Sequence, residues 1–402
     1  MATVLGMPTA VDRPSSATSA TTGSSGPEYA PFGRTVIALA VTALLATGQL
    51  YGMIPLLGRA ASGWHVAPAS LTWLVSAFGF GYAAGFLLLG PLSDRLGRRR
   101  VIVAGVAATA ITTALVAASP SPGAALALRV LQGFTIGAFP PVAMAYIGER
   151  VAPHRRLVTV TSMTTGFLAA AVFGQLAAQG LAATLGWRWF FVAGAFAFAA
   201  AAVVLRWAML PDGPSTGVSP LAAYRAMPPL LIAPSLRLLF LAVPAVLGSF
   251  VAIYTGLQLT GTTGLLGLRA SALPVILAIP FLTPRLARIP GPARAGMALG
   301  LAALGTALVG LLEPGTIVLA LLLMVVTAGI SIAAPGLIDM IGTRAGAARA
   351  PAISLYSALM FVGASLGPQV ASALTGDGLR ALGLVLAVLL AGAAALAATA
   401  RH

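Results

Sequence analysis

Apolar runs of 18 or more residues follow one another along almost the whole chain, and no other feature narrows the fold as far. A helix rising 1.5 Å per residue crosses a hydrocarbon core of about 30 Å in roughly 20 residues, so each run is long enough to span. Only 8% of the side chains are charged and 59% are hydrophobic, whereas soluble domains carry about a quarter charged residues. Lipid must therefore be the solvent for most of the surface. Strands of a membrane barrel would alternate over about ten residues, and these runs do not. The runs place spans near 35–57, 70–92, 101–118, 124–147, 157–183, 189–208, 237–258, 268–284, 295–312, 316–341, 351–375 and 379–399. The fold class is thus an all-α membrane protein of twelve transmembrane helices, with the eighth interrupted by Pro274, Pro280 and Pro284.

The segments between the runs supply the organisation. Residues 1–33 are rich in Ser, Thr, Gly and Pro and hold no apolar run, so they read as a disordered tail. A cleaved signal peptide is not expected, because the first apolar segment begins near Thr35 and is long enough to span. Residues 209–235 contain Pro211, Asp212, Gly213, Pro214, Ser215, Pro228 and Pro229, the composition of a flexible linker. That linker separates two six-helix bundles, 34–208 and 236–402.

The net charge of +15 comes from 23 arginines and no lysine. A nucleic-acid module would gather such residues on one face among aromatics, but here they punctuate the gaps between apolar runs, so nucleic acid is not an expected partner. With the N-terminus inside, 18 arginines fall on the cytoplasmic side, four outside (Arg59, Arg188, Arg269, Arg380) and one, Arg129, within a helix. The positive-inside rule then puts both termini in the cytoplasm. The absence of cysteine excludes disulfides and Cys-based metal sites.

The two halves align at a constant offset of 194 residues: Pro141, Ile147, Gly148, Arg150 and Gln175 fall on Pro335, Ile341, Gly342, Arg344 and Gln369. The same offset carries Leu92, Gly97 and Arg100 onto Leu286, Gly291 and Arg294. Parallel repeats of this kind put a substrate site near the bilayer midplane between the halves, with access alternating as one half rocks on the other.

After the second span comes Gly90-Pro91-Leu92-Ser93-Asp94-Arg95-Leu96-Gly97-Arg98-Arg99-Arg100. It resembles the loop between helices two and three of the major facilitator superfamily, G-x-L-[AS]-D-[RK]-x-G-R-[RK]-x, at every defining position. An ordinary positive-inside loop would account for the arginines but not for Gly90, Asp94 and Gly97. Gly90 suits close helix approach, Gly97 a tight turn, and Asp94 the positive end of a helix dipole. The resemblance implies that this helix end belongs to span eleven and that Arg98 pairs with the acid closing span four, here Glu149. It marks Gly90, Asp94, Arg95, Gly97, Arg98, Arg99 and Glu149 as gating residues. In the second half Arg288 stands where Asp94 stood, so the lock is expected to be asymmetric.

Arg129-Val130-Leu131-Gln132-Gly133 resembles the family's R-x-x-[QN]-G motif of helix four, which implies proton coupling through Arg129, Gln132 and Gly133. A charge at that depth costs about 2.5 to 3.5 kcal/mol, so Arg129 is expected to face a cavity, the alternative being to snorkel to the interface. No acid stands at mid-membrane to pair with it. The first helix reads Gln49-Leu50-Tyr51-Gly52-Met53-Ile54-Pro55 where drug-proton antiporters of the family carry a carboxylate before a proline, and Asp339 lies a turn from the end of span ten. The antiporter G-P pair is absent from span five. It occurs in span eleven, where Gly363, Gly367 and Pro368 read as a packing element.

The resemblance also implies that helices one, four, seven and ten line the cavity, making Gln49, Tyr51, Gln132, Ser249, Tyr254 and Ser331 candidate contacts; each could equally bond a neighbouring helix. The expectation is a monomeric secondary active transporter of a small organic solute in the inner membrane, working by proton-coupled efflux. It needs no cofactor, and the proton gradient is its driving force. Uptake or facilitated diffusion is the alternative within the family, and a non-transporting receptor or scaffold the alternative outside it. His65, His154 and His402 have no acid at triad or ligand spacing, so a membrane enzyme is not expected.

Overall fold

The computed structural model describes residues 29–212, 219–286 and 288–400. Eleven of its helices are long and apolar enough to cross a membrane: α1 Phe32–Trp64, α2 Pro68–Leu96, α3 Arg98–Ala117, α4 Pro122–Arg150, α5 Pro153–Thr184, α6 Arg188–Ala208, α7 Pro234–Leu259, α9 Gly291–Leu312, α10 Thr316–Arg344, α11 Gly346–Ala373 and α12 Gly378–Thr399. The crossing labelled α8 is made of Leu265–Ala270 and Ala272–Leu286, broken at Ser271. Pro274 explains the break, since it has no N–H to donate to the Ala270 carbonyl. Proline likewise tightens α1 into a 3-10 turn at Ile54–Leu56 around Pro55. The chain is a multi-pass membrane protein, and large apolar side chains such as Phe196 and Leu157 stand exposed on its flanks, where lipid is the solvent.

The helices pair in a repeating order. In the first half α1 packs on α5, α2 on α4 and α3 on α6; in the second α7 packs on α11, α8 on α10 and α9 on α12. Each pairing recurs six helices later, as the 194-residue offset requires. Small residues set the spacing at two of these seams. A Cβ on Gly133 of α4 would lie 2.0 Å from the Phe78 carbonyl oxygen of α2, and one on Gly363 of α11 would lie 2.0 Å from the Pro244 carbonyl oxygen of α7. Gly367 continues the second seam, 2.4 Å from the Gly248 oxygen, beside a buried Pro368.

Two connecting segments differ from the sequence reading. The Ala30 N–H donates to the Arg150 carbonyl at 2.8 Å and α1 starts at Phe32, so the ordered chain begins within the stretch read as tail; residues 1–28 lie outside the described residues. In the linker, Pro220–Ile232 forms a helix rather than a flexible connector, packed on α2, α7 and α11, with the Tyr224 hydroxyl donating to the Leu88 carbonyl at 2.6 Å. Met227 is its buried side chain at this contact, while Leu221, Leu231 and Ile232 stay exposed.

The arginine-rich loops lie on one face of the bundle, which also carries the linker helix. The opposite face carries the turns after α1, α3, α5, α7, α9 and α11.

Candidate functional site

The loop between α2 and α3 is built around a three-residue charge cluster. Arg98, the first residue of α3, sets Nε and Nη2 against the Glu149 carboxylate at 2.7 and 2.6 Å, and Nη1 against Asp94 at 2.8 Å. This is the Arg98–Glu149 pair that the resemblance implied. The fork geometry of guanidinium on carboxylate fixes α3 to the end of α4. Arg95 is exposed, and Arg99 reaches back to the Arg206 carbonyl. Gly90 is a partial correction: a Cβ there would meet Pro141 at 3.4 Å, an ordinary contact, so close approach is not what selects glycine.

Gly97 has a sharper reason, and it involves a residue that the sequence reading passed over. Its φ is +98°, a conformation that suits glycine, and a Cβ added to it would lie 2.5 Å from the Asp212 carboxylate. Asp212 comes from the segment after α6 and caps the N-terminus of α3, accepting from the Arg99 and Arg100 N–H groups at 2.8 and 3.1 Å. An acid at the end of span six, level with an arginine-rich loop, was the available signal. Asp212→Ala is expected to cost about 1 to 2 kcal/mol through loss of the cap and its dipole contact. Gly97→Ala should be less damaging in that background than alone, because the carboxylate it collides with is gone. A double-mutant cycle from chemical unfolding in mild detergent checks this, and strict additivity would refute the contact.

Arg129 corrects the expectation more fully, since it neither faces a cavity nor snorkels. It is wholly buried inside the first bundle. Its Nε donates to the Leu74 carbonyl of α2 at 3.0 Å, Nη2 to the Gln49 carbonyl of α1 at 3.0 Å, and Nη1 to the Gln132 side chain at 2.8 Å. Its guanidinium lies 4.4 Å from the Phe78 ring centroid. The Gln132 amide in turn donates to the Gln49 side chain at 3.1 Å and to Thr113 at 2.7 Å. Backbone carbonyls have a second lone pair available even in a helix, and that is what makes the burial tolerable without a carboxylate. Gln49, Gln132 and Arg129 therefore tie α1, α2, α3 and α4 together, and Gly133 acts through the α2–α4 contact.

Between the halves, Tyr51 of α1 meets Phe250 of α7 edge-on at 5.7 Å, and Phe250 meets Tyr254 at 4.9 Å. Tyr82 of α2 lies against Phe361 of α11 at 4.1 Å. Buried hydroxyls line this seam in pairs that face each other, Tyr82 of α2 with Thr47 of α1 and Tyr254 of α7 with Thr327 of α10, while Ser249 of α7 has no partner among the described residues. Ser331 is buried nearby on the same helix as Thr327. Leaving a group such as Ser249 unsatisfied costs about 1 to 3 kcal/mol, so this neutral polar lining is suited to a solute or water that completes it. Thr47, Tyr82 and Thr327 were missed because a lone hydroxyl in an apolar run carries no pattern. Among the described residues no carboxylate lies in the middle of a span. Asp339 has a 63% exposed side chain and stands 4.0 Å from Arg294, at the arginine-rich end of α10.

The chain matches the family model of the Major Facilitator Superfamily over residues 39–368. It is 35% identical over 127 residues to the chloramphenicol resistance protein CraA of Acinetobacter baumannii, covering 31% of each chain. It is 34% identical over 142 residues to the 4-hydroxybenzoate transporter PcaK of Pseudomonas aeruginosa, covering 35% of this chain and 32% of that one. The chain spans about a third or less of the length of these and other curated relatives. In fold it is similar to the human organic anion transporter MFSD10, with a TM-score of 0.67 at 20% identity over 91% of this chain and 99% of that one. The repeated helix pairs, the charged loop after α2 and the match along most of the chain agree: this multi-pass membrane protein belongs to the Major Facilitator Superfamily.

Proposed function

We propose that this protein carries a small aromatic solute, neutral or singly negative, by alternating access across the cytoplasmic membrane, with its arginine-rich face and both termini in the cytoplasm. The observation that carries this reading is the set of buried neutral hydroxyls at the seam between the halves, Tyr82, Thr47, Tyr254, Thr327 and Ser249, beside aromatic faces and with no fixed charge. A multiply charged solute would find nothing there to replace its hydration. Two relatives are named for small aromatic compounds, one as a chloramphenicol resistance protein and one as a 4-hydroxybenzoate transporter.

Proton-driven export is the version supported by the R-x-x-[QN]-G segment and by the likeness to a chloramphenicol resistance protein. A second version, in which the solute runs down its own gradient, is supported by the lack of a mid-span carboxylate among the described residues. Proteoliposomes offered labelled chloramphenicol or 4-hydroxybenzoate separate them. Export by proton exchange predicts accumulation above equilibrium when the lumen is acid, and none when it is alkaline. Saturable transport indifferent to both gradients leaves only the second version, and no saturable flux of either compound overturns the substrate class.

A further inference from the structure

The two glutamines that coincide under the 194-residue offset, Gln175 of α5 and Gln369 of α11, do the same thing in the structure. Each reaches across from one half to the other near the face opposite the arginine-rich loops. Gln369 donates to Ser76 of α2 at 2.8 Å and to Thr72 at 3.3 Å. Gln175 accepts from the Nε of Arg269, in α8, at 2.9 Å. The offset maps Ser76 onto Ala270, the neighbour of Arg269, so the two contacts are equivalent places on the two seams that join the halves.

The seams are unequal in chemistry. At the α2–α11 seam the bonds are neutral, and Ser76 adds one to the Ser365 carbonyl at 2.5 Å. At the α5–α8 seam the donor is a guanidinium only 1% exposed, which also donates to Gln179 of α5 and, at 2.5 Å, to Gln258 of its own half. Val172, Ala272 and Ile276 close the same seam with apolar contacts. No carboxylate is among the described partners of Arg269, so its burial rests on three amide oxygens, two of which belong to the other half. Parting the halves on this face would take Gln175 and Gln179 away together. Charge-assisted bonds are roughly twice as strong as neutral ones, which makes this seam the harder to open.

We infer that Gln175 and Gln369 are the paired catches of a gate on the face opposite the arginine-rich loops, with Arg269 as the bolt of the stronger one. The inference rests on the alternating-access reading. Its consequence is that opening on this face exposes a guanidinium stripped of two acceptors, which water must then satisfy.

The chain contains no cysteine, so spin labels can be placed without background. Leu185→Cys and Leu312→Cys put labels at exposed positions on the two halves at that face, and distances between them are read by pulsed electron resonance in nanodiscs without solute. Arg269→Gln and Gln175→Leu are each expected to raise the population with long distances by about tenfold, and Gln369→Leu by less. Should Arg269→Gln not purify as folded protein, Gln175→Leu combined with Gln179→Leu tests the same bonds from the other half. Distributions unchanged in the Gln175 and Gln369 variants overturn the gate, and a Gln369 effect equal to that at Gln175 overturns the role of Arg269. Because the readout uses no solute, a shift in distances accompanied by failure to transport any aromatic compound would refute the proposed substrate class and leave the gate standing.

Discussion

Arg129→Ala is expected to lower the stability of the protein by about 2 to 4 kcal/mol, through lost hydrogen bonds and a cavity, and to reduce initial transport rates more than tenfold. The guanidinium is held by groups on α1 and α2 and by Gln132 of its own helix, and its removal takes the second hydrogen bond from two backbone carbonyls, leaves the Gln132 side-chain oxygen without this donor and opens a void beside Phe78. Arg129→Lys should not restore function, because a single ammonium on a flexible stem cannot span the positions that the planar fork reaches. Unfolding in mild detergent and proteoliposome flux measured on the same preparations check both parts. The two readouts also divide the roles. A variant of full stability that no longer transports would return Arg129 to the coupling role implied by its motif, whereas parallel loss of both supports the structural role seen in the bundle. Normal stability together with normal flux would refute both.

The second large effect is expected at the α7–α11 seam. Gly363→Val brings a Cβ to 2.0 Å from the Pro244 carbonyl oxygen, and backbone cannot yield as a flexible side chain can. The two helices would have to separate by an ångström or more, at a cost of about 3 kcal/mol. Much of the second bundle's interior, including Ser249 and Tyr254 on α7, would move with them. The unfolding transition should shift accordingly, while a control at Gly300, where nothing lies within 4 Å of an added Cβ, should be nearly neutral. Equal behaviour of the two variants would show that the close approach is not required.

The residues differ in how readable they were. The Arg98–Glu149 pair was legible only through the resemblance of the Gly90–Arg100 loop, since several other arginines and acids also stand at helix ends and charge alone does not say which of them meet. Gly363 and Gly367 were legible because glycines four apart on a helix point at whatever helix lies beside them. Asp212 was not: nothing in its local sequence says that the N-terminus of α3, more than 100 residues earlier, lies next to it. Arg269 was counted as an outer-loop charge, since a hydropathy pattern cannot tell an arginine at a loop from one drawn into a seam by amides from another helix. Arg129 was read as cavity-facing because an intramembrane charge usually needs water or a counter-charge, and here carbonyls and an amide substitute for both.

By itself, the sequence determined the number of crossings, the division into two related halves, the face that gathers positive charge and the family. The crossings and the charged face follow from span length, hydropathy and charge placement, which act locally along each helix and depend on the bilayer rather than on neighbouring helices, whereas the halves were read from identities at the 194-residue offset and the family from the resemblance of the Gly90–Arg100 loop. Tertiary structure alone decided which polar groups are satisfied and by what. Inside lipid a hydrogen bond goes to the nearest available acceptor in three dimensions, so Arg129 belongs to the first bundle's interior, Arg269 to the boundary between halves, and the hydroxyls of Tyr82 and Tyr254 to threonines on neighbouring helices, Thr47 and Thr327.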